Sequence, residues 1–128
     1  MAKITLQPAS MAVPAAPYVP GTKRGSMVFT AGQVAFDRDG NVVGKDDVKA
    51  QTRQTLLNLK AVLEEGKATL ADVMKTTVYL ADIAHFADMN EVYGEFFGDQ
   101  KSARTTVEAR LARPELLVEI EAIAVIAD

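Results

Sequence analysis

Cysteine is absent from this chain, which removes disulfides, thiolate metal ligands and cysteine nucleophiles together. Histidine occurs once, at His85, with no second histidine or clustered acid beside it, so a zinc site is not expected. Long apolar runs are missing too: nothing approaches the roughly 20 residues of a membrane-spanning helix, and no membrane partner is expected. The segment Met1-Ala2-Lys3-Ile4-Thr5-Leu6-Gln7-Pro8 lacks the apolar centre of a secretory leader, and a cytoplasmic location is the expectation. No basic cluster offsets the net charge of −3, so charge alone gives no reason to expect a nucleic-acid partner. What is present is ordinary for a soluble globular chain, 48% hydrophobic and 24% charged. Residues 1–128 are long enough to form one domain with a proper core.

Four of the five prolines fall in the first 20 residues, predicting an irregular lead-in with a short edge strand near Ile4-Thr5-Leu6. The alternating run Ser26–Val34 predicts a strand, and Asp37-Arg38-Asp39-Gly40-Asn41 a turn leading to Val42-Val43. Asp46 or Asp47 then caps a helix whose inner face reads Val48, Thr52, Thr55, Leu56, Leu59, Val62 and Leu63, with Gly66 as its stop. The β-branched run Val73–Leu80 predicts a strand. Asp82 caps a second helix with the stripe Ile83, Phe86, Asn90, Tyr93 and Phe97, His85 lying at its start.

Two extended runs close the chain, Ala103–Glu108 and Leu116–Ile126. In the second, alternation places Val118, Ile120, Ala122 and Ala124 on one side and Leu117, Glu119, Glu121 and Ile123 on the other. Two carboxylates thus share one face of an apolar strand, which means either a solvated sheet face or a wet cavity. If the two runs are neighbours, Arg104 can approach those carboxylates. Arg104 is then either an anion-binding group or an ion-pair partner of Glu119, Glu121 or Glu108.

The order strands, helix, strand, helix, strands predicts an α/β (α+β) layered domain: one mixed sheet with two helices on a single face. The other face carries Val28 or Phe29, Val78 or Tyr79, Leu117 and Ile123, and no third helix remains to cover it. A monomer would expose that area, so an oligomer with packed sheets is expected.

The chain resembles the RidA/YjgF family of imine and enamine deaminases over essentially its full length. The residues that carry the likeness are Pro17-Tyr18-Val19, Thr30-Ala31-Gly32-Gln33, Gln51-Thr52-Arg53-Gln54, Lys75-Thr76-Thr77-Val78, Asn90 with Tyr93 and Phe96-Phe97, Ala103-Arg104, and Val118–Ala124. The Pro17–Thr22 and Asp46–Arg53 stretches look most like 3-aminoacrylate deaminases, those acting on 2-aminoacrylate being only slightly less similar. The resemblance implies a chorismate-mutase-like fold, a homotrimer with the sheets forming a central barrel, and sites between subunits. It implies no cofactor, and a small carboxylate as substrate. In the matching positions Arg104 would bind the substrate carboxylate, Glu119 would activate water, and Tyr18 would close the cleft. Gly32, Ala31, Thr106 and Asn90 would contact substrate, and Glu121 would be structural. Three positions depart from the family pattern: Thr106 stands where cysteine is common, Ser102 where proline is usual, and Ala31 where serine is often found. A trimer that binds a small carboxylate without catalysis, or serves protein interactions, is the alternative reading.

Overall fold

The computed structural model describes residues 1–127. Its organising strand is β6 (Val118–Val125), whose Val118, Ile120, Ala122 and Ala124 are buried while Glu119, Glu121 and Ile123 are half-buried on the other side. Five further strands complete one sheet: β1 (Ile4–Leu6), β2 (Gly21–Arg24), β3 (Met27–Thr30), β4 (Val73–Leu80) and β5 (Ala103–Glu108). Their spatial order is β1-β2-β3-β6-β4-β5, with β4 and β5 parallel and every other pair antiparallel. A parallel pair needs a crossover, which helix α2 (Phe86–Phe97) supplies between β4 and β5. Helix α1 (Val48–Glu65) makes the longer crossover from β3 to β4.

Both helices lie on the same face and make the core there. Leu56, Leu59, Val62 and Leu63 of α1 and Met89, Tyr93 and Phe97 of α2 pack against Val28, Val78, Leu80, Ile120 and Ala124. The stripe predicted for α1 is buried at every position, and Asp47 is its cap, accepting the Ala50 N–H at 3.0 Å. The turn at residues 37–41 forms as predicted: Asp37 Oδ1 accepts two backbone N–H groups, and Gly40 takes a positive φ of 81° that suits glycine.

The structure corrects the sequence reading at three places. Gly21–Arg24 is a strand, although its glycine and two cations carry little strand propensity; tertiary packing overrides it. A Cβ on Gly21 would lie 2.5 Å from Val62, so glycine lets α1 sit on this strand. The Asp82 cap belongs to a short 3-10 turn, Ile83–His85, and α2 begins at Phe86. With that shifted start the core takes Met89 and Val92, and Ile83 and Phe86 stay 47% and 40% exposed. Finally, β5 and β6 are not neighbours, because β4 lies between them.

Gln51 is fully buried inside α1 and ties three segments together. Its Nε2 donates to the carbonyls of Gly44 and Glu115, and its Oε1 accepts the Leu117 N–H. Gln51→Leu would strand those backbone groups, at about 1–3 kcal/mol for each buried group left unpaired. The expected result is a melting temperature lower by roughly 10 °C in calorimetry, an effect of about 3 kcal/mol for a chain of this size. An unchanged transition would show that this tether carries no stability.

Candidate functional site

Register sorts the polar side chains of the sheet into two sets. On the open face, Glu119 lies opposite Tyr79, Glu121 opposite Thr77, and Ile123 opposite Lys75. On the helix face, Arg104 lies beside Thr76, Thr106 beside Val78, and both pair onward to Ala122 and Ile120. Arg104 and Glu119 are therefore two strands apart, about 10 Å across the sheet, and on opposite faces. Within one chain the guanidinium does not meet either carboxylate.

Glu119 lies in a cleft of about 410 Å³ that Tyr18, Ala31, Gly32, Phe36 and Arg113 also line. The Gly32 position is decisive for its shape. A register shift between Phe29↔Ile123 and Gln33↔Ile120 bulges the chain here, and a Cβ on Gly32 would run into the Glu119 carboxylate. Burial, and secondarily the charge of Glu121, pushes the Glu119 carboxyl above the usual glutamate value. Glu121 differs: Tyr79 donates its hydroxyl to Oε1 at 3.0 Å, a bond that in turn holds the Tyr79 hydroxyl up. Among the described residues Glu119 receives no side-chain hydrogen bond and no ion pair. One carboxylate is anchored and the other is free to handle a proton.

Arg104 sits on the other face, in a pocket of about 290 Å³ shared with Asn90, Tyr93, Phe97, Lys101 and Ser102. Its guanidinium stacks 4.8 Å from the Tyr93 ring and 5.6 Å from that of Phe86. Tyr93 is held in turn by a 2.6 Å hydrogen bond with Thr76 and by stacking on Phe97. No ion pair of the described residues includes Arg104, so the pairing with Glu119, Glu121 or Glu108 is not formed. Glu108 instead accepts the Ile83 N–H. A planar cation backed by two aromatic rings, with no carboxylate paired to it among the described residues, can take an anion.

The residues named from the sequence thus divide. Tyr18, Ala31, Gly32 and Glu119 share one cleft; Asn90 and Arg104 share the pocket across the sheet, with Thr106 on the same face of β5. Arg113 was not among them, though it lines the Glu119 cleft, stacking 5.3 Å from Phe36 and pairing with Glu115 at 3.0 Å. Its loop has no periodicity to announce it; the Gln51 bonds to Glu115 and Leu117 place it.

Comparison with known proteins agrees with this architecture. The model of the family described as Endoribonuclease L-PSP matches residues 9–126. A RutC family protein of Pyrococcus abyssi is 47% identical over 111 residues, covering 87% of each chain. Among solved structures, E. coli TdcF with bound serine superposes with a TM-score of 0.88 at 34% identity, covering 97% of this chain and 99% of that one. The E. coli YjgF gene product does so with the same TM-score of 0.88 at 36% identity, covering 97% and 99%.

Proposed function

The chain belongs to the Endoribonuclease L-PSP family, which takes in the RidA/YjgF and RutC proteins, and from that premise we propose that it deaminates small imine and enamine carboxylates. Water adds across the C=N bond, the amine leaves as ammonia, and a carbonyl acid remains. One observation carries this reading: the unpaired guanidinium and the unpaired, raised carboxyl lie on opposite faces of one sheet. Each is half of a site. A neighbouring subunit supplies the other half, so that Arg104 of one subunit holds the substrate carboxylate against Glu119 of the next.

The roles follow from chemistry. Arg104 presents a fork of donors that matches a carboxylate, with Thr106 and Asn90 flanking it. Glu119, ionised, accepts a proton from the attacking water and returns it to the departing nitrogen; a raised carboxyl suits both steps. Gly32 leaves that carboxylate its room and offers backbone approach, while Tyr18 and Ala31 wall the cleft. The serine bound to E. coli TdcF is likewise a small molecule bearing a carboxylate. The ribonuclease activity in the family's name draws less support. Binding an RNA backbone relies on clustered free cations, whereas Lys49 and Arg53 of α1 are paired with Glu91 and Glu95 of α2.

The open face supports the assembly. Met27 beside Val125, and Phe29 beside Ile123, form a contiguous apolar patch, and Met27, Phe29 and Val125 are 42%, 40% and 39% exposed. We expect light scattering at micromolar concentration to give a trimer; a stable folded monomer would remove the shared site. The chemistry is tested by ammonia release from 2-aminoacrylate and 3-aminoacrylate generated enzymatically in situ. Acceleration over spontaneous hydrolysis of either is the expected outcome. Binding of a 2-oxo acid without acceleration would favour the non-catalytic carboxylate-binding reading.

A further inference from the structure

We propose that Ser102 is a further substrate-binding residue, its hydroxyl donating to the same carboxylate that Arg104 pairs with. This inference rests on the carboxylate-binding role given to Arg104 above. Three observations point to it. Alternation carried one residue back from β5 puts Ser102 on the face of Arg104 and Thr106, and Ser102 and Arg104 line one pocket. The Ser102 Oγ is buried yet has no hydrogen-bond partner among the described residues. Native folds seldom leave a buried hydroxyl unpaired, and one in the wall of a pocket whose guanidinium also lacks a hydrogen-bond partner among the described residues marks a place where a ligand completes both. Among the described residues no carboxylate lines the pocket to claim either donor, and Lys101 adds a second cation.

The carboxylate geometry accommodates this division. A carboxylate has two oxygens with about four acceptor positions, so a bidentate guanidinium leaves acceptor positions for a hydroxyl on the same group. Ser102 thereby adds binding that is present in the bound substrate and in the transition state alike. Such uniform binding appears in KM and leaves kcat unchanged.

The test uses pyruvate, a carboxylate that cannot be deaminated, titrated calorimetrically into wild type, S102A and S102T, with a melting curve for each free protein. S102A is expected to bind pyruvate about tenfold to a hundredfold more weakly, the loss of one hydrogen bond to a charged group. S102T, which keeps the hydroxyl, should recover most of the affinity. The free S102A protein should melt no lower than wild type, since the variant removes an unpaired buried group. Turnover of 2-aminoacrylate should show a raised KM at constant kcat. Wild-type affinity in S102A, or a lowered melting temperature with affinity intact, would make Ser102 a packing residue and overturn the inference. Failure of the wild type to bind pyruvate would overturn the carboxylate site itself, and this inference with it.

Discussion

Arg104→Lys is expected to abolish deamination while leaving the fold in place, by three decades or more in kcat/KM. Lysine keeps the charge but loses the planar fork, and a charge-assisted pair is worth roughly 1.5–3 kcal/mol, or one to two decades. The stack on Tyr93 and Phe86, at 4.8 and 5.6 Å, is weakened as well, and that stack aims the guanidinium. A substrate misplaced by about 1 Å loses a further factor of about 10². Stability should change little. Arg104 lies on an edge strand, is half-exposed and makes no ion pair among the described residues, while Tyr93 keeps its bond to Thr76 in the variant. Ammonia release and a melting curve measured side by side decide the matter. Turnover near that of wild type would leave Arg104 a cation resting on two rings with no part in the reaction.

Glu119→Gln should separate chemistry from binding, and Glu121→Gln should not. Glutamine preserves the size of the side chain but cannot take a proton from water, removing a contribution of about 10²–10⁴-fold in kcat. Affinity for a simple 2-oxo acid should fall little, since Arg104 is untouched. At position 121 the substitution alters a carboxylate already bound by Tyr79, so kcat should stay close to wild type. Its effect lies in the pH profile. Burial first, and the Glu121 charge second, raise the Glu119 carboxyl, so the base ionises at a higher pH than an unperturbed glutamate. The acid limb of the activity profile should therefore be shifted upward in pH by this environment, and Glu121→Gln should move that limb downward. Stability runs the other way. The contribution of a carboxyl raised in the folded state is fully present below its unfolded pKa and is lost as pH rises through the folded one. Glu119→Gln should flatten that loss. Equal and mild effects of the two variants on kcat would retire the water-activating role of Glu119.

Much of the fold was written locally. The β-branched run at Val73–Leu80 and the alternation in Val118–Val125 became strands, and the stripe from Val48 to Leu63 became the buried face of α1. The uncovered apolar face was legible for the same reason: period 2 assigns each residue of a strand to a side, and only two helical stripes were available to cover one side. Local signals reach no further than a few residues. Strand order depends on hydrogen bonds between distant segments, so nothing near Arg104 or Glu119 revealed that β4 would lie between their strands. The weak strand Gly21–Arg24 forms because its neighbours pair with it, and Gln51 is buried because two backbone groups far along the chain, at Glu115 and Leu117, need its amide. The sequence by itself supplied the candidates, a guanidinium at Arg104 and a carboxyl in an apolar strand at Glu119. Only the tertiary structure decided that the guanidinium and the carboxyl face opposite ways, since the side of the sheet a residue takes follows from strand pairing and from where the helices pack.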